Sequence, residues 1–136
     1  MKPVFADTFY WYALANPRDQ WHLSAMKARA ALGQRQIITT EEVLTEFLAA
    51  MSGHPFLRTS AKKLLESIFL ASSVSVIEQS HTSFADGLEL YNNRPDKAYS
   101  LVDCISMITC RRAGVTEVLT LDHHFTQEGF VILIVQ

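Results

Sequence analysis

Apolar and polar positions change their period along this chain. Short β-rich runs alternate with stretches in which apolar residues recur every three to four positions, the pattern of a parallel sheet covered by helices on both faces. Five strands are predicted, at residues 3–6, 36–39, 74–78, 117–121 and 130–135. The last, Phe-Val-Ile-Leu-Ile-Val, is so continuously apolar that it reads as a strand buried on both faces. Asp19 is placed to cap a helix over residues 20–32, and Gly33 to stop it. Thr39 or Thr40 caps the next, in which Leu44, Phe47, Leu48 and Met51 recur at i, i+3, i+4 and i+7 as a stripe facing the sheet, until Gly53-His54-Pro55 breaks it. Further helices fit residues 58–72, 82–91 and 99–113, the last ended by Gly114, and residues 92–97 form the clearest loop. The pattern predicts an α/β fold in one unit spanning residues 1–136, without repeats or linkers.

Composition agrees with that picture. At 136 residues and 49% hydrophobic, the chain can bury one core and is too short for two, and its 19% charged residues exclude a disordered or fibrous protein. No apolar run approaches the ~20 residues that span a bilayer, and Asp7 comes too early for a signal sequence, so a cytoplasmic protein is expected. Cys104 and Cys110 fall on one predicted helix with diverging side chains, which predicts reduced thiols. A net charge of −2 argues weakly against a nucleic-acid partner, but the balance turns mildly positive if four acids are committed to a metal.

In open parallel sheets ligands bind beyond the carboxyl ends of the strands. Asp7 directly follows the first predicted strand and Asp122 the fourth; each could simply cap the next helix. Asp103 is the only charge between Lys97 and Arg111, on a helix apolar enough to be buried, and no cation within that helix can pair with it. Ser100 and Asp103 also form an S-x-x-D capping box, an explanation that needs no function. Glu46 lies mid-helix at the flank of the apolar stripe, where a solvated surface acid is the plain alternative. Taken together, two acids at strand ends and two near helix starts over the same edge form an oxygen-only set that suits a hard divalent ion such as Mg²⁺ or Mn²⁺. Such a site can promote phosphodiester cleavage.

Two stretches, Asp96-Lys97-Ala98-Tyr99-Ser100-Leu101-Val102-Asp103-Cys104 and Leu119-Thr120-Leu121-Asp122-His123-His124-Phe125 with Gly129-Phe130 beyond, join Asp7 and the Thr45-Glu46-Phe47-Leu48 segment in a recognisable order. The chain resembles the PIN-domain family and, within it, the VapC-like toxins. The resemblance implies a three-layer α/β/α fold with a five-stranded parallel sheet. It also implies Mg²⁺-dependent cleavage of RNA, with Mn²⁺ able to substitute, a homodimer, and inhibition by a small antitoxin whose tail enters the site. By motif position Asp7, Glu46 and Asp103 would be the core metal-site acids and Asp122 a fourth, more variable one. Ser100 and Thr120 match positions that support the acids or the substrate, and His124 one that contacts phosphate.

The remaining candidates carry less. His123 and His124 are adjacent, and His22, His54 and His81 have no ligand spacing, which argues against zinc. The run Phe9-Tyr10-Trp11-Tyr12 could stack bases, but splits more naturally between core and an oligomer or partner surface. A haloacid-dehalogenase-type phosphatase would need a second Asp where Phe9 stands, and a receiver domain an acidic pair and a Lys that are absent. The non-enzymatic rival is a PIN-like RNA-binding or scaffold module, against which the presence of all four acids speaks.

Overall fold

The computed structural model describes residues 1–135. Its five strands are β1 (Val4–Ala6), β2 (Ile37–Thr40), β3 (Val74–Ile77), β4 (Glu117–Leu119) and β5 (Val131–Ile132). All pair in parallel, in the order β3-β2-β1-β4-β5. Seven helices connect them: α1 (Thr8–Ala15), α2 (His22–Leu32), α3 (Glu41–Met51), α4 (Pro55–Leu70), α5 (His81–Asn92), α6 (Leu101–Ala113) and α7 (His124–Gln127). Parallel neighbours require crossovers, and these helices supply them, giving the expected three-layer α/β/α arrangement. Central β1 is buried at every position, as its Val-Phe-Ala sequence demands. The chain builds outward from β1 through β2 to β3, then returns to place β4 on the other side. The carboxyl ends of β1 and β4 therefore flank the point where the strand order reverses, the natural place for a ligand.

Helix boundaries follow local chemistry. Thr40 caps α3 by accepting from the Val43 amide at 3.0 Å, and Gly114 ends α6 in the left-handed region at φ 69°. Two starts and one buried face differ from the pattern. Asp19 accepts from the Trp21 amide at 2.9 Å, a turn that precedes α2 instead of capping it. His54 caps α4 through Nδ1, which accepts from the Phe56 amide, so Pro55 opens that helix three residues before the predicted start. In α3 the buried stripe is Val43, Leu44, Phe47 and Met51, while Leu48 is 37% exposed.

Two further features depart from the sequence reading. Helix α1 is unpredicted, because its aromatic residues pack on several sides and blur the helical period: Tyr10 and Trp11 are buried, and Phe9 and Tyr12 lie partly buried against the core. The Trp11 indole donates to Thr39 at 3.2 Å and the Thr39 hydroxyl to the Ala6 carbonyl at 2.9 Å, tying α1 to β2 and β1. The cluster is thus mainly core, not an open surface. Strand β5 is an edge strand, not one buried on both faces: Phe130 and Ile134 point inward while Val131 is 54% and Val135 68% exposed. Both cysteines are free and buried, and burial pushes their thiols up to about 11 for Cys104 and about 12 for Cys110.

Helices α5 and α6 approach closely at Gly87, where an added Cβ would stand 2.4 Å from Ile105 Cγ1 and within 3.3 Å of its backbone. Gly87→Ala should therefore destabilise the protein by about 1–3 kcal/mol through overpacking, despite the better helix propensity of Ala. Urea denaturation of both proteins measures this, and an unchanged midpoint would show that the helices can move apart freely.

Candidate functional site

The four acids named from the sequence line one open groove of about 470 Å³, together with Thr8, Phe9, Ala98, Ser100, Leu121 and His124. No Lys or Arg is among these lining residues. Each acid arrives by a separate route. Asp7 is the residue at which β1 ends and α1 begins, yet its side chain makes no capping bond. Its Oδ2 instead accepts from the Thr120 hydroxyl at 3.1 Å. Thr120 follows β4 and also accepts from the Asp122 amide at 3.0 Å, so one buried hydroxyl joins the ends of the two central strands. Asp122 Oδ1 accepts from the His124 amide at 2.9 Å, a local turn that starts α7.

Asp103 satisfies both of its sequence-based explanations at once. It closes a reciprocal capping box, with Ser100 N donating to Asp103 Oδ2 and Asp103 N to Ser100 Oγ, each at 3.0 Å, and it is also buried in the groove. The Thr120 hydroxyl is thus engaged by the Asp7 carboxyl group, and the Ser100 hydroxyl by the Asp103 amide. Glu46, on α3, is half-buried and accepts from the Thr8 hydroxyl at 2.5 Å, which is not the behaviour of a freely solvated side chain.

His124 joins this group. Its Nδ1 lies 3.3 Å from Asp103 Oδ2 and 3.4 Å from Asp122 Oδ1. The three side chains offer ligand atoms all within 4.8 Å of one another, close enough for a single ion. His123 is exposed and takes no part, His22 meets the Ala13 carbonyl, and His54 caps α4. Among the described residues no His-rich cluster forms. Carboxylate oxygens with one imidazole and no thiolate suit a hard divalent ion better than a structural zinc.

Electrostatics strain the groove in the absence of a cation. Burial raises the Asp7 carboxyl to about 7, with Asp103 and then Glu46 adding to the rise, while the Thr120 hydrogen bond opposes it. Asp103 is raised too, by burial first and by Asp122 among its neighbours. Clustered acids that resist ionisation are what a cation would relieve.

Sequence reasoning missed a second ionic cluster beside the groove. Glu128, whose side chain is 6% exposed, accepts from Arg94 Nε at 3.0 Å, Arg111 Nη2 at 2.8 Å and the Tyr99 hydroxyl at 3.0 Å. Burial alone would raise its carboxyl, but these donors bring it down to about 2. Thr8, the partner of Glu46, was missed as well. Neither carries a local signal, since the partners are separated by 17 to 38 residues.

No family model matches the chain. Two relatives do: the 23S rRNA-specific endonuclease VapC20 of Mycobacterium tuberculosis strains CDC 1551 / Oshkosh and ATCC 25618 / H37Rv. Each is 28% identical over 131 residues, covering 94% of this chain and 95% of the relative. The crystal structure of M. tuberculosis VapC20, a sarcin-ricin loop cleaving toxin, superposes with a TM-score of 0.85 at 25% identity, over 94% of this chain and 96% of the other. The fold is that of the VapC-like PIN domains. VapBC2 from Rickettsia felis, solved bound to a DNA fragment from its promoter, shares it at TM-score 0.69 and 16% identity, over 95% and 96% of the two chains. The VapC-like resemblance carried by the sequence stretches around Asp103 and Asp122 thus extends over nearly the whole chain.

The raised Asp7 pKa has a definite sign. The folded state holds this proton more tightly than the unfolded chain, so the contribution of Asp7 to metal-free stability is fully present below about pH 4 and is lost as pH rises to about 7. Melting temperatures of metal-free protein between pH 5 and 7.5 should decline, and Asp7→Asn should flatten that decline and melt higher at pH 7.5. A variant that melts lower at pH 7.5 would show that the Asp7 charge is well compensated.

Proposed function

We propose that this chain is a Mg²⁺-dependent endoribonuclease, one nuclease unit over residues 1–136, and the cytoplasmic toxin of a toxin–antitoxin pair. The observation that carries this reading is the convergence of Asp7, Glu46, Asp103 and Asp122 in one groove whose lining has no Lys or Arg to neutralise them. The VapC20 relatives, named as 23S rRNA-specific endonucleases, supply the substrate class: RNA, with a ribosomal RNA loop the first substrate to try.

The four acids would hold the ion, and Asp7 and Asp103 are its principal ligands. Mg²⁺, or Mn²⁺ in its place, supplies Lewis acidity toward water and toward the phosphodiester. The chain's own groups do the rest. Thr120 fixes Asp7 and the Asp122 backbone, and Ser100 fixes Asp103, so the carboxylates need little rearrangement when a cation arrives. Glu46, steadied by Thr8, serves as ligand or as the base that orients the attacking water. His124 contacts the scissile phosphate from beside Asp103 and Asp122. Ser100 and Thr120 act on substrate only through the acids they hold.

An antitoxin tail entering the groove and a homodimer follow from the same resemblance. With Tyr10 and Trp11 in the core, the dimer loses its support from the aromatic run. Phe84, Leu88 and Tyr91 on α5, exposed at i, i+4 and i+7, are the surface that would carry it. No helix among the described residues is long and apolar enough to cross a membrane.

Purified protein should cleave RNA with Mg²⁺ or Mn²⁺ and lose cleavage in EDTA; full activity in EDTA would defeat the metal mechanism, and none under any condition would favour a scaffold. Asp103→Asn is the sharper test. An Asn oxygen can still accept from the Ser100 amide, so the cap survives while the buried charge and its repulsion with Asp122 are removed. Metal-free stability should hold or rise, whereas cleavage and the Mg²⁺-induced rise in melting temperature should vanish. A variant less stable yet fully active would make Asp103 a helix-start acid and nothing more.

A further inference from the structure

We propose that Tyr99 is a positioning residue that holds the His124 imidazole in register with Asp103 and Asp122, its ring packed on that imidazole and its hydroxyl anchored on Glu128. The functional part of this proposal rests on the nuclease reading above.

The need for such a residue follows from the size of α7. Four residues make barely one helical turn, too short to hold its own shape or to define the direction of a side chain at its start. His124 opens this turn, and the two carboxylates beside it restrain only one ring atom, Nδ1. The far edge of the imidazole receives no support from these two acids. The Tyr99 ring supplies it, standing edge-on to His124 with centroids 5.4 Å apart and planes at 61°.

Tyr99 can do this because it is fixed itself. It is buried immediately before α6, and its hydroxyl donates to Glu128 Oε2 at 3.0 Å. Glu128 is the residue at which α7 ends, so one aromatic side chain meets both ends of the same turn. Glu128 is held in turn by Arg94, from the loop between α5 and α6, and by Arg111, from the last turn of α6. The Arg111 guanidinium also lies 5.8 Å from the centre of the Phe130 ring, just past α7. The chain of contacts runs from two arginines through Glu128 and Tyr99 to His124 and ends at the groove.

Tyr99→Phe, which keeps the ring and loses the anchor, and Tyr99→Leu, which loses both, test the proposal in two ways. In metal-free protein the His124 ring resonances should shift and broaden in Tyr99→Leu and move less in Tyr99→Phe. In RNA cleavage with saturating Mg²⁺, Tyr99→Leu should lower kcat by about tenfold, the lower end of what loss of an outer-shell partner costs, with KM little changed. In a His124→Ala background the same substitution should lower kcat no further, although it still lowers the melting temperature. Unmoved His124 resonances, or an equal loss of kcat with and without His124, would overturn the proposal. Should Tyr99→Leu not fold, Tyr99→Phe, which differs by one oxygen, carries both measurements. If the unmodified protein cleaves no RNA, the nuclease reading fails while the resonances still decide whether Tyr99 orients His124.

Discussion

A carboxylate at the tip of a completely buried strand is the constraint around which this molecule is arranged. β1 runs through the middle of the sheet with every residue covered, and it delivers Asp7 where water is scarce and where Asp103 and Glu46 already press on it. An isolated buried charge is intolerable, so the surroundings must offer hydrogen bonds, let the group keep a proton, or admit a cation. The Thr120 hydroxyl and the raised pKa are the first two answers in the metal-free protein. The groove, open to solvent and with no Lys or Arg along its lining, leaves room for the third.

The supporting structure divides the work by distance from that point. The Thr8 and Thr120 hydroxyls and the Ser100 amide each fix one carboxylate, and these bonds are local to the groove. Further out, the Glu128 cluster locks α6 to α7 and so sets the frame in which Asp103, Asp122 and His124 meet. The inner layer tunes charge while the outer one fixes orientation, and the two need not titrate together: Glu128 stays ionised far below the pH at which Asp7 gives up its proton.

Much of this was legible because the informative residues stand beside strong punctuation. Asp7 and Asp122 follow strands, the Ser100–Asp103 box announces the start of α6, and Gly114 marks its end. What stayed hidden did so for identifiable reasons. Helix α1 packs aromatic residues on several sides, so no period separates an inner from an outer face. The run 130–135 is apolar throughout, yet composition cannot tell whether a second layer covers it, and at the sheet edge Val131 and Val135 face solvent. The partnership of Glu128 with Arg94, Tyr99 and Arg111 depends on how α6 and α7 cross, which no local spacing encodes. His124 was named through the resemblance, but its approach to Asp103, 21 residues earlier in the chain, likewise follows from the packing of α7 on α6 and not from local spacing.

The strand order β3-β2-β1-β4-β5 has a consequence for how the groove comes into being. β1, β2 and β3 are made in succession and can pair as they emerge, but the neighbour that completes the site, β4, is synthesised more than a hundred residues after Asp7. Until Thr120 arrives, Asp7 has no hydroxyl to meet it and Asp122 does not yet exist. A chain still growing on the ribosome thus holds half a groove, and the acids become a set only once the segment carrying Thr120 and Asp122 has been translated.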